Sequence, residues 1–150
     1  TNTMHLVFDE VQSHVKVPML SLLEAVGQAI LARGIGTAGL LGTKFTMEKT
    51  FYQDALMAQG ITILVPDATD RDYVNRVIYE ELVAGQIRDE SRRGTVEVIQ
   101  KLAAHGAEGV ILGCTEIPLL VSEADVGLPL FDTTTIQCRQ QLTHCQGGGY

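Results

Sequence analysis

Three times in this chain a helical pattern closes on a glycine and a short apolar run follows within three residues: Gly34 before 37–41, Gly60 before 61–65 and Gly106 before 109–112. A glycine just past the last turn takes the left-handed backbone that ends a helix. A continuous apolar run of four or five residues suits a strand covered on both faces. The repeat is therefore the rhythm of an α/β fold, a parallel sheet with flanking helices. A fourth run, 128–131, extends it. Helices are expected over 22–32, 46–58, 70–84 and 95–105, the first with Ser21 as cap and Glu24 at capping-box spacing. Residues 1–16 read as a helix with no strand feeding it, and the tail from Gln146 to Tyr150 is glycine-rich and expected to be disordered.

At 150 residues the chain can form one α/β domain with a core, and is too short for two complete ones. A formal charge of −7 argues against nucleic acid as a partner, which needs a basic surface. It does not argue against an acidic ligand, provided that the site supplies donors. No apolar run reaches the roughly 18–20 residues that span a bilayer, so a membrane is not an expected partner. Cys114, Cys138 and Cys145 are odd in number and widely spaced, a poor disulfide framework and a poor zinc site. A reduced, cytoplasmic setting with no metal is the expectation.

Ligands of an open parallel sheet bind at the carboxyl ends of its strands. Two segments are expected to end a strand there and open a helix with polar groups: Gly42-Thr43-Lys44 and Gly113-Cys114-Thr115-Glu116. A thiol over a strand end, with backbone N–H groups aimed nearby, is expected to have a lowered pKa, and the same donors suit a carboxylate. The same residue types also serve as plain helix caps, and a lone cysteine in a buried strand often acts as a small hydrophobe. Thr1 as an N-terminal nucleophile is a further possibility, but nothing else in the chain fits such a hydrolase.

The run Gly109-Val-Ile-Leu-Gly-Cys114-Thr-Glu-Ile-Pro118 resembles the second-cysteine motif of the aspartate/glutamate racemases. Leu40-Leu-Gly-Thr-Lys-Phe-Thr-Met-Glu48, Phe51-Tyr52, Ile78-Tyr-Glu-Glu-Leu82 and Phe131-Asp-Thr133 are similar to that family in order and spacing. The resemblance implies a two-domain α/β scaffold with the site in the cleft, and neither pyridoxal phosphate nor metal. One residue from each domain would face the substrate α-carbon, one removing its proton and the other returning a proton from the far face. The resemblance implies that Cys114 is one of these two residues, and leaves open which of the two roles it takes. Aligning Asn2-Thr3-Met4-His5 on the family's Asn-Thr-x-His places Thr1 as the other, as in the subgroup specific for L-aspartate and L-glutamate. Asn2, Thr3, Thr43, Lys44, Thr115 and Glu116 would contact the substrate, a small acidic amino acid, although relatives on this scaffold act on hydantoins or malonates.

Family members begin with a strand and a Gly-rich loop, and neither precedes Thr1, so an N-terminal truncation is expected. Residues 1–16 would be a remnant of the first racemase domain, 17–131 the second domain, and 132–150 a C-terminal helix and tail. Exposed Leu6, Val7 and Val11 would then favour a homo-oligomer or docking to the missing part. The competing reading is a noncatalytic module that binds dicarboxylates or assembles without racemising them.

Overall fold

The structure, a computed structural model, describes residues 2–147, with side chains through residue 143. Alternation along the two central strands builds its two cores. In β1 (Thr37–Leu41) and β3 (Gly109–Leu112), Leu41, Val110 and Leu112 face one side of the sheet while Ala38, Leu40 and Ile111 face the other. The sheet has four parallel strands in the order β2–β1–β3–β4, with β2 (Thr62–Leu64) and β4 (Leu130–Asp132) at its edges.

One face is covered by α5 (Ala68–Arg76) and α6 (Asp89–Ala104), through residues such as Val74, Val98, Ile99 and Leu102. The other is covered by α2 (Leu22–Ala32) and α4 (Phe51–Met57), through Leu22, Val26, Ile30, Tyr52 and Leu56. After a short α7 (Glu123–Val126), the C-terminal helix α8 (Thr133–Gly147) follows β4 and lies against α2. It takes in the first two residues of the tail expected to be disordered; 148–150 and Thr1 lie outside the described residues.

The glycine stops stand where the pattern puts them, with φ of 71° at Gly34, 82° at Gly60 and 103° at Gly106. Ser21 caps α2 by accepting from the Glu24 N–H. Several elements differ from expectation. The helix expected over 46–58 is two pieces, α3 (Lys44–Glu48) and α4, because Lys49 is extended at ψ 141°. The helix expected over 70–84 starts at Ala68 under an Asp67 cap, then widens into a π turn (Val77–Glu81) and ends as a 3-10 turn (Leu82–Ala84). The helix expected from 95 begins at Asp89, for Gly94 is no break: the Tyr73 ring fills the place of its missing side chain. The last strand falls at Leu130–Asp132 instead of 128–131.

At the N-terminus a 3-10 turn (Thr3–Val7) runs into α1 (Phe8–His14), and neither contains a buried residue. His5 Nε2 accepts the Leu22 N–H at 2.8 Å, at the first turn of α2, and the His5 ring stacks on Phe8 at 5.2 Å. Among the described residues no helix is long and apolar enough to cross a membrane.

Candidate active site at the strand ends

The two central strands finish on glycines for a spatial reason. A Cβ on Gly113 would stand 3.0 Å from the Leu41 carbonyl oxygen, and one on Gly42 would stand 3.3 Å from the Gly113 oxygen. The Gly113 N–H meanwhile donates to Leu41 O at 2.7 Å. The strand ends are thus drawn together, and the next residue of each, Thr43 and Cys114, emerges at the same edge of the sheet. Thr133 leaves the neighbouring strand β4 beside them.

Cys114 is a half-buried free thiol whose S–H donates to Glu116 Oε2 at 2.8 Å. Burial first, and the Glu116 carboxylate second, push the thiol up to about 12, although backbone N–H groups of Glu116 and Thr115 pull the other way. This corrects the expected lowered pKa. No α-helix opens after β3, only a 3-10 turn at Ile117–Leu119, so a few amides face a carboxylate and a dry wall. In turn the Cys114 thiol, with the Thr115 hydroxyl, holds the Glu116 carboxyl below its ordinary value.

The other sequence-derived positions are dispersed. Thr43 caps α3, its Oγ1 accepting the Thr46 N–H at 3.4 Å. Lys44 reaches towards α5, its Nζ 2.5 Å from Asp72 Oδ1, and Asp72 raises its pKa. Thr3 is exposed in the first turn, and Thr1 lies outside the described residues. Asn2 is buried, and both ends of its side chain are held: Nδ2 donates to Thr133 Oγ1 at 3.1 Å, and Oδ1 accepts from the Tyr52 hydroxyl at 3.0 Å.

Asn2 and Thr115 come together in a groove of about 360 Å³, shared with Leu22, Thr133, Thr134, Gln137 and the exposed Cys138. Thr3, Thr43, Lys44, Cys114 and Glu116 do not line it. Two roomier cavities, of about 530 and 440 Å³, lie under the N-terminal segment and beyond β2, and Cys114 lines neither. Chemistry therefore places the site better than volume does. No group of three or more His, Cys, Asp or Glu among the described residues is arranged to hold a metal ion.

Residue chemistry gave no reason to single out Tyr52 and Thr133, which hold Asn2; the only signal was their place in family-like segments. Glu116, expected to touch substrate, accepts a hydrogen bond from the Cys114 thiol.

The family model described as Asp/Glu/Hydantoin racemase matches residues 1–141. The crystal structure of an aspartate racemase homologue from Pyrococcus horikoshii OT3 superposes with a TM-score of 0.90 at 40% identity, over 97% of this chain and 64% of that one. An aspartate racemase from Picrophilus torridus gives 0.70 at 25% identity, over 88% of this chain and 54% of that one. Glutamate racemase from Herpetosiphon aurantiacus is 29% identical over 93% of this chain and 55% of its own length. The chain thus spans between about half and two thirds of these relatives, with its strand-end cysteine inside the matched region. On that match the chain belongs to the Asp/Glu/hydantoin racemase family.

Proposed function

We propose that the protein is a cofactor-independent racemase of a small acidic amino acid, L-aspartate or L-glutamate, working by 1,1-proton transfer between two bases. The observation that carries this reading is the Cys114 S–H, held on Glu116 at the end of β3 in a chain of this family. In one direction Thr1, as its alkoxide, takes the α-proton and becomes the hydroxyl, the electron pair stays on the α-carbon, and the Cys114 S–H delivers its proton to the opposite face and is left as the thiolate. In the reverse direction the Cys114 thiolate removes the proton and Thr1 returns one. The balance is one proton off and one proton on.

A thiol pushed up to about 12 rests protonated at neutral pH, so Cys114 is set to donate. For the thiol to act as a base, its pKa must fall on binding, and the substrate ammonium group supplies the needed positive charge. Thr115 and the backbone amides after β3 stabilise the carbanion and its carboxylate. Asn2, Thr3 and Thr43 complete the substrate contacts. Lys44 meets a carboxylate by leaving Asp72, a surface pair that is weakly held in solvent. In this reading residues 1–16 belong to the first racemase domain, and the protein acts in the cytoplasm as a homo-oligomer.

The test is α-proton exchange of L-aspartate and L-glutamate in D₂O, followed by NMR, with Cys114→Ala alongside. Exchange that disappears with the thiol supports the reading, while unchanged exchange in Cys114→Ala overturns it. Binding of a dicarboxylate with no exchange favours the noncatalytic module instead.

A further inference from the structure

The Leu112 carbonyl can only accept, and that fixes the direction of a buried chain of hydrogen bonds that the proton transfer does not use. Thr133 must donate its hydroxyl proton to Leu112 O, at 3.0 Å. Its Oγ1 is left to accept, and the donor is Asn2 Nδ2 at 3.1 Å. The amide is thereby oriented with Oδ1 towards Tyr52, whose hydroxyl donates at 3.0 Å. The side chains are buried: Tyr52 is 0% exposed, Thr133 1% and Asn2 9%. Burial raises the Tyr52 pKa, so its proton stays available to Asn2 over the working range.

The chain joins separate parts of the fold. Tyr52 belongs to α4, Thr133 opens α8 after β4, and Leu112 ends β3. Asn2 directly follows Thr1 in sequence, and Leu112 stands two residues before Cys114. We propose that Tyr52 and Thr133 are positioning residues, locking the segment next to Thr1 onto the strand end that carries Cys114. The proposal rests on the reading of Thr1 and Cys114 as the acid/base pair. Two groups acting on opposite faces of one carbon need a fixed separation, and a displacement of about 1 Å can cost about a hundredfold in rate. Tyr52 and Thr133 supply that separation without touching substrate or moving a proton to it.

Tyr52→Phe removes one oxygen atom, Thr133→Val removes the hydroxyl while keeping shape, and Thr133→Ser restores it. The first readout is hydrogen exchange of the Asn2 side-chain amide by NMR, which needs no turnover. Tyr52→Phe and Thr133→Val are expected to speed that exchange by about tenfold or more, Thr133→Ser to leave it near wild type, and backbone amides of β1 and β3 to stay protected in all three. The second readout is turnover, where kcat is expected to fall by about tenfold or more with KM within about twofold, and to recover in Thr133→Ser. An Asn2 amide that exchanges as fast in wild type as in Tyr52→Phe would overturn the lock. A slow amide with kcat unchanged in folded Tyr52→Phe and Thr133→Val would overturn the positioning role. A wild-type chain that exchanges no substrate proton would refute the racemase reading and its catalytic consequence, while the Asn2 amide would still decide whether the lock exists.

Discussion

The Cys114–Glu116 pair puts two acids two residues apart, and only one of them ionises at neutral pH. Glu116 holds the charge and Cys114 the proton. Replacing Glu116 by Gln keeps an acceptor but removes the negative charge. The thiol pKa is then expected to fall from about 12 while staying above its ordinary value of 9.0, since burial is the larger cause. The check is the pH dependence of Cys114 alkylation by iodoacetamide, in a background with Cys138 and Cys145 replaced by Ser. An inflection that does not move on Glu116→Gln would show that the carboxylate is not what holds the proton. The same shift predicts a stability slope. Between pH 9.0 and about 12 the unfolded chain has released a proton that the folded chain keeps. The unfolded state then binds fewer protons, so stability falls as pH rises through that window. Denaturant midpoints compared in alkaline buffers should show a shallower fall in Cys114→Ser than in wild type.

The strand ends and the helices after them set where these side chains stand. Gly113→Ala is expected to cost about 1–3 kcal/mol, because the new Cβ meets the Leu41 carbonyl at 3.0 Å and Leu40 Cδ1 at 3.2 Å, in a wall with no slack. Equilibrium urea unfolding reads the loss directly, and an unchanged midpoint would mean that β1 and β3 can spread at this end. Ser21→Ala is expected to cost about 1 kcal/mol by leaving the Glu24 N–H without its cap, measured the same way. Both sites were legible in sequence, the first in a segment expected to end a strand and the second as a serine at capping-box spacing from Glu24. The departures have local causes that composition does not carry. The break between α3 and α4 is one extended residue, Lys49. Gly94 lies inside α6 and leaves room for the Tyr73 ring, a contact made across 21 residues. The amides after β3 looked like a helix start, but the chain turns into 3-10 geometry around Pro118.

At the scale of the whole molecule, the sheet order was beyond reach of a local pattern, since four short parallel strands can be arranged in several ways. What decides it is which apolar faces meet. The central pair β1 and β3 is buried throughout except at Thr37, while the short edges β2 and β4 are partly open. The candidate site shows the same division. Cys114 and Thr43 follow from where strands end, but the partners of Asn2 stand 50 and 131 residues away and only the folded chain brings them together. Stability should be distributed accordingly. Amide hydrogen exchange is expected to be slowest in β1 and β3, opening only with global unfolding, and faster in β2. The N-terminal turn and α1 bury no side chain; the contacts that tie this segment to the rest include Asn2 to Tyr52 and Thr133, His5 to the start of α2, and Gln12 to the Met19 N–H. Residues 3–17 are therefore expected to exchange through local opening, at rates far above those of the central strands and insensitive to core substitutions such as Ile111→Val. Equal protection of α1 and β3 would mean that this segment folds with the sheet as one cooperative unit.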